Sequence, residues 1–511
     1  MITTISHTYT TTEYLEKFIK DNLSRFQPTK LLVQLFLIST NEAYIKEIQS
    51  LLNRYLPDAH IIGTTTDGSI SKNDSETTLI SFTQFEKSFL KHTLIPFDLG
   101  AEDIAAQTIC KDIISKETKV LILFADGLLC NAEKLTREIH NKFPDIIIAG
   151  GLAGDNAKLE KTFVCDNTKL QTQAVVALAI DSDSLYIHND FNLAWEPIGL
   201  EMQITKAEGN IIYEIDGEKA SLIFDRHLDT KHLKQYGSST TQPTITIEFP
   251  LIVKHQDMLV ARTTMQINED GSLFCTGEFQ VGDTLSFSFT DINKITQSGI
   301  ELSKRMLKTS VQTIFIYSCM ARRRFMGENI SHDIEPLYDI APLSGFYSYG
   351  EIYTTPKKIE FLNHTMTVLA LSEEEEIYSQ SQQKTVKLDS HRAKTLGVLS
   401  KLIESSNTKK EDVHLVQITD ILYYNKQSKT LLLNKEVVRL TKAEHKLFEL
   451  LLTKRNSPVD TQTIFSYMWE EQEKEINTNS VRTLVKKLRK KLPAELIENS
   501  YGGYYRLVTM D

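Results

Sequence analysis

Between Arg482 and Lys491 the chain places six basic side chains and no acidic one. In the same stretch Val481, Leu484, Val485, Leu488 and Leu492 fall at i, i+3, i+4, i+7 and i+11, which is one apolar stripe of a helix over Thr478–Leu492. At 100° per residue Asn479, Thr483, Lys486 and Lys490 point away from that stripe, flanked by Arg482 and Lys487. Like charges at i, i+4 weaken a helix slightly, so packing does not ask for this pattern. A polyanion would compensate it, and a helix of this shape fits the major groove of double-stranded DNA. A solvated lysine-rich helix is the plainer alternative for the helix taken alone.

A second group of residues suits a small ligand. Gly150, Gly151 and Gly154 follow the apolar run DIIIA, where free N–H groups could meet an anion and Asp155 could bind an amine or cap a turn. Ser318 and Cys319 end the apolar run TIFIYSC, Arg322 follows it, and Glu351 sits in an aromatic, glycine-rich strand. Arg322 and Glu351 would suit a zwitterion, or would pair with each other. Cys319 with His332 or His364 defines a competing thiol-enzyme reading, but no motif joins them and a cysteine after an apolar strand is usually core. We expect no enzyme, no metal site and no cofactor.

The elements that must hold these residues read as multidomain α/β and α+β. LLVQLFLIS, AYIKEIQSLLNRYL and AHIIGTTTDGSI run strand, helix, strand, and VLILFADGL, NAEKLTREIHNKF and DIIIAGGLAGD repeat that order, which predicts parallel pairing. From Lys169 the pattern turns β-rich, with EDG and GD at hairpin turns and a helix near Ser298–Lys308. Ser372–Lys387, with Glu373–Glu376 and a Gln/Ser tract, reads as solvated linker. The predicted helix Ser390–Ser405 is either a homodimer seam or a surface helix packed on its neighbour. Beyond it come two short strands, a helix opened by a Thr441–Glu444 capping box, a helix near Thr461–Trp469, the basic helix, and a hairpin turning at Gly502-Gly503.

Bulk numbers agree. With 511 residues the chain holds several cores. A net charge of -10 excludes a nucleic-acid coat along the whole length but not one basic module. Five scattered cysteines without a CxxC exclude a disulfide framework and a zinc ribbon and suit a reducing cytoplasm. The start lacks the basic and apolar regions of a signal peptide, and no run nears the ~20 apolar residues of a membrane span, so a cytoplasmic location without membrane contact is expected.

Residues 413–511 resemble the effector domain of OmpR/PhoB-type response regulators, carried by LTKAEHKLFELL, VRTLVKKLRKKL and GGYYRL. The resemblance implies a winged helix-turn-helix. Its third helix would read the major groove through Asn479, Arg482, Thr483, Lys486, Lys487 and Lys490, and its loop 470–477 would touch RNA polymerase. The wing departs from the family: Arg is usual where Tyr501 stands, and Gly where Tyr504 stands. Tyr501 can still bond a phosphate. No acidic pair or lysine accompanies Asp126, so a phospho-receiver, and with it a phosphorelay output, is the weaker alternative.

Residues 15–372 resemble the FIST sensory domain, with an N-terminal part over 15–225 and a C-terminal part over 226–372. IIGTTTDGSI, FADGL, AGGLAGD, Trp195, ITKAEGNIIYEIDGEKA, YSCMAR and PLSGFYSYGEI carry it, and it adds Trp195 and Tyr349 to the ligand-binding set. It implies a mixed-sheet sensor for a small molecule, such as an amino acid or derivative, joined through a linker at 373–412 to the DNA-binding domain.

Overall fold

A computed structural model describes residues 1–71, 76–228, 247–255, 258–375, 415–419, 422–425, 430–433, 436–438, 440–455, 457–469, 478–493, 496–500 and 503–508. The chain divides into two compact units, Met1–Leu388 and Asp389–Asp511. The expected helix Ser390–Ser405, the loop 470–477 and Tyr501 lie outside the described residues, as does the side chain of Asn479.

Three sheets build the centre of the first unit. The first carries Leu31–Leu37 parallel to His60–Thr65, joined by the helix Glu42–Tyr55. The second carries Thr118–Ala125 parallel to Ile147–Leu152, joined by the helix Ala132–Lys142. The third pairs Thr313–Cys319 in parallel with Leu343–Ser348. Each sheet buries its outer face under helices: Ile45, Ile48 and Leu52 cover the first, and Leu135 and Ile139 cover the second. Leu302 and Met306 cover the third. The inner faces meet in one core, where Phe36, Phe124 and Phe346 come from one sheet each, with ring centroids 5.3–6.1 Å apart. Strands buried on both faces must be apolar throughout, which is why LLVQLFL and VLILFA read as unbroken runs. A fourth, eight-stranded sheet lies within 196–289 and has its own core.

Neither sensory part is closed by itself. Glu351–Thr355 and Lys358–Leu362 complete the second sheet, Glu351–Tyr353 pairing antiparallel with Ala149–Gly151. In return Ser69–Ile70 and Tyr186–Leu193 form the two edges of the third sheet.

Two expectations for the first unit change. The helix expected near Ser298–Lys308 runs Ile292–Met306, started by Asp291, whose carboxylate accepts from the N–H groups of Asn293 and Lys294. Gly299 sits inside it because a Cβ there would lie 2.6 Å from the carbonyl oxygen of Asp333. Glu373, expected in a solvated linker, is 1% exposed. It closes the strand Thr365–Ser372, and its carboxylate accepts from the N–H groups of Glu86, Lys87 and Ser88 at 2.9, 2.9 and 2.7 Å.

In the second unit Leu415–Thr419, Leu422–Asn425, Thr430–Leu433 and Glu436–Val438 form a four-stranded antiparallel sheet, where sequence periodicity suggested two strands. The helices Lys442–Thr453, Thr461–Trp469 and Thr478–Arg489 follow. The Thr441–Glu444 capping box is formed. Ile497–Ser500 and Tyr504–Leu507 make the hairpin, to which Val459–Asp460 adds a third strand.

Gly150 has φ 144°, and a Cβ there would stand 1.9 Å from the carbonyl oxygen of Leu123. Gly150→Ala should therefore cost about 3 kcal/mol of stability, read as a lowered urea midpoint of the first unit.

Candidate functional site

The basic helix keeps its apolar stripe inside: Val481, Leu484, Val485, Leu488 and Leu492 are all buried. It ends at Arg489, with Lys490 and Lys491 in the following turn. The six basic residues divide into two groups. Arg489 donates to the carbonyl of Ile497 and to Asn499 Oδ1, and its guanidinium lies 5.9 Å from the Tyr505 ring centre. Lys491 Nζ donates to Glu444 Oε2 at 2.6 Å, which ties the end of this helix to the cap of the first. Arg482, Lys486, Lys487 and Lys490 remain exposed with Thr483. On the hairpin, Gly503 turns with φ 86° and its carbonyl accepts from the Thr461 hydroxyl, while Tyr504 is exposed.

The first unit holds a cavity of about 610 Å³. One wall is the crossover after the strand Thr118–Ala125, from Gly127 to Lys134. The opposite wall comes from the C-terminal part, with Met265, Phe274, Cys275, Tyr349, Phe361 and Asn363. Ligands of α/β proteins commonly sit outside the carboxyl ends of strands, and by that rule the crossover FADGLLCNAEKL was a signal for this wall that the sequence reading passed over. Nothing in the pattern around Asn363 marked it.

Of the residues expected at a ligand site, Cys319 and Tyr349 line this cavity. Gly150, Gly151, Asp155, Trp195, Arg322 and Glu351 lie elsewhere, each for a physical reason. The glycines approach neighbouring strands, Gly150 lying against Leu123 and Gly151 against Ser348 and Gly350. The N–H of Leu152 donates to the carbonyl of Gly350, that of Ala153 to Ala125, and that of Gly154 to Thr65, all at 2.8–2.9 Å. Asp155 caps its own loop, accepting from the N–H groups of Leu159, Glu160 and Lys161 and from the Tyr349 hydroxyl. Trp195 is packed against Phe325 and His364.

Arg322 and Glu351 neither face the cavity nor pair with each other. Arg322 is fully buried and makes a two-point ion pair with Asp333, its remaining nitrogen donating to the carbonyls of Asn192 and His364. A buried guanidinium needs such saturation. Glu351 is equally buried and accepts from Ser348 Oγ at 2.7 Å and Thr365 Oγ1 at 2.6 Å. Burial pushes its carboxyl up to about 8, against those two hydrogen bonds.

Asp126 and Cys319 also have local explanations. Asp126 is 2% exposed, and its carboxylate accepts from the N–H groups of Leu128, Leu129 and Gln173, so it caps the crossover. Burial, and then the neighbouring Glu351, push the Cys319 thiol up. His364 Nε2 bonds Thr263 Oγ1 at 2.7 Å, and burial pushes the ring down to about 3. All five cysteines are free. Among the described residues no group of His, Cys, Asp and Glu is placed to hold a metal, and no helix is long and apolar enough to cross a membrane.

These geometries define a mixed-sheet α/β unit with a solvent-open cavity and a separate winged-helix unit with an exposed basic face. Family models give that class its particulars: a FIST N domain matches residues 32–218, a FIST C domain matches 230–354, and a transcriptional regulatory protein C-terminal domain matches 434–507. An uncharacterized protein of Methanocaldococcus jannaschii is 24% identical over 309 residues, 54% of this chain and 58% of its own length. The uncharacterized transcriptional regulatory protein YbdJ of Bacillus subtilis is 37% identical over 76 residues, 14% of this chain and 33% of its own. The chain thus spans 58% and 33% of these two relatives. Among solved structures, the DNA-binding domain of RstA from Klebsiella pneumoniae in complex with the RstA box is 19% identical, with 18% of this chain and 96% of that chain covered and a TM-score of 0.17. The DNA-binding domain of CpxR from E. coli is 18% identical, with 19% and 96% covered and a TM-score of 0.17.

Glu351 sets a pH test. Its folded value lies above the ordinary 4.5, so the stability it contributes is complete below about 4.5 and is lost as pH rises towards about 8. Glu351→Gln mimics the protonated form. The difference in melting temperature between the variant and the parent should therefore move in the variant's favour from pH 5 to pH 8; a constant difference would contradict the burial argument.

Proposed function

We propose that the chain is a one-component transcription regulator. In this reading a small molecule enters the sensory unit, with parts over 15–225 and 226–372, and changes the affinity of residues 413–511 for a specific DNA sequence. The observation that carries it is the division of the basic residues. Arg489 and Lys491 brace the domain, while Arg482, Lys486 and Lys487 on the helix and Lys490 in the turn after it are left exposed, opposite a buried stripe. Exposed cations so grouped attract a polyanion and release its counterions.

The cavity supports the sensing half of the proposal, because about 610 Å³ between two sensory parts is the size and setting of a small-molecule site. Coupling requires the ligand to bind two states of the protein with different affinity, and the segment 373–412 is the natural place for the two states to differ. The expected helix Ser390–Ser405 in that segment is also the proposed homodimer seam. The loop 470–477 is the proposed contact with RNA polymerase, and Tyr501 and Asn479 complete the proposed DNA-contacting set. Such a regulator works in the cytoplasm, where DNA and metabolites are both present.

The test is salt-dependent binding of the full chain to promoter DNA. Lys486→Ala with Lys490→Ala should weaken binding and lower the slope of log affinity against log salt by about 2, because each phosphate contact contributes roughly 0.9. Unchanged retardation and slope would remove this helix from the interface.

A further inference from the structure

We propose that the solvent-open cavity receives a hydrophobic cation, an apolar body that carries one ammonium group and no carboxylate. The inference deepens the sensor reading and rests on it for its biological role. It also replaces the zwitterion that Arg322 and Glu351 had suggested, since neither of those residues lines the cavity.

The apolar body follows from what the cavity leaves in water. Leu99, Leu129, Leu159 and Phe274 all line it and are all exposed. Large apolar side chains gathered around one opening mark a binding surface. The sign of the charge follows from the ionised groups. Glu102, Glu133, Lys134 and Glu278 line the cavity. Glu133 pairs with Arg262 at 3.0 Å, Glu278 pairs with Arg137 at 3.0 Å, and Lys134 meets Asp103 at 2.8 Å. Two more carboxylates hold lining residues without an ammonium or guanidinium. Asp126 accepts from the N–H groups of Leu128 and Leu129, and Asp155 accepts from the Leu159 N–H and the Tyr349 hydroxyl. Six carboxylates therefore stand at or behind this wall with three cations, Lys134, Arg137 and Arg262. A cleft lined by one excess sign concentrates the opposite charge.

Glu102 is the least matched of the six. It is 2% exposed; its Oε1 accepts from the Asn131 N–H at 3.2 Å, and its Oε2 has no hydrogen-bond partner among the described residues. Lys134 Nζ stands 3.7 Å from that oxygen and 2.8 Å from Asp103, so one ammonium serves two carboxylates. The oxygen is covered, so it acts on a ligand through its field and not by contact. Beside an apolar wall an incompletely neutralised charge is weakly screened, and its field reaches into the cavity. Two lining residues register the field. The Cys130 thiol is pushed up first by burial and then by the charges of Glu102 and Asp126. The Tyr349 hydroxyl is pushed up first by burial and then by its bond to Asp155. An entering ammonium would be attracted by the same field, and a carboxylate would be repelled.

The probes are octylamine, octanol and octanoate, which share one chain and differ in charge. Their binding to the full chain is measured by isothermal titration calorimetry. Octylamine should bind at least tenfold more tightly than octanol, and octanoate more weakly than either. Added salt should weaken octylamine and leave octanol unchanged. Glu102→Gln should weaken octylamine at least fivefold and Lys134→Met should tighten it, while octanol binds both variants and the parent alike. Lys134 is half-buried at the rim, so Lys134→Met decides the question if Glu102→Gln fails to fold. Leu129→Trp, at an exposed lining position, should block octylamine by filling the cavity. Octylamine binding no tighter than octanol, including no binding at all, overturns the inference. So does octylamine binding that the charge variants or Leu129→Trp leave untouched. The sensor reading fails separately. Octylamine that follows the charge variants without changing promoter affinity upholds the site and removes the coupling. An amino acid that changes promoter affinity equally in Leu129→Trp upholds the coupling and removes this site.

Discussion

The sensory unit depends on three residues having almost nothing between them. Ala149, Gly150 and Gly151 lie opposite Tyr353, Ile352 and Glu351 across an antiparallel ladder, and two of the three carry no side chain. A Cβ at Gly151 would stand 3.0 Å from Ser348 Cβ and 3.1 Å from the carbonyl oxygen of Gly350. The closeness lets a strand from the C-terminal part complete a sheet of the N-terminal part. It also sets Tyr349, Phe361 and Asn363 against the Gly127–Lys134 crossover, so the cavity is a product of the same register. The aromatic cluster of Phe36, Phe124 and Phe346 needs it too, since the three rings meet only when the three sheets converge.

Charge is handled in opposite ways in the two units. In the sensory unit, charges are buried and paired. Arg322 with Asp333 is shielded on both sides, Arg262 reaches Glu133, and Asp67 lies between Arg323 and Arg324. Such pairs add little net stability, but leaving one partner alone would be costly, so they fix which elements pack together. In the DNA-binding unit the same residue types are split between bracing and exposure. Two of the basic side chains hold the helix to its neighbours, and four stay in water.

Local pattern carried much of this into the sequence. The strand–helix–strand units, the capping box at Thr441, the helix Thr461–Trp469 and the buried stripe from Val481 to Leu492 are all set by neighbours within a few residues. What was not legible depends on how separate elements pack, whether the partner is near or far along the chain. Arg322 looked like a ligand residue because Asp333 cannot be recognised as its partner without the packing of helix Ile292–Met306. Glu373 looked solvated because the three N–H groups that hold it lie more than 280 positions away.

The exchange of strands between the two sensory parts has a consequence for how such a chain can be inherited. Ser69–Ile70 and Tyr186–Leu193 edge a sheet of the C-terminal part, and Glu351–Leu362 edges a sheet of the N-terminal part. Recombination that delivered one part without the other would leave bare sheet edges and an open aromatic core, a state prone to aggregate. The two sensory segments must therefore travel between genes as a single cassette. The winged-helix unit, whose described sheets and core are its own, is under no such constraint and is the piece that can be exchanged.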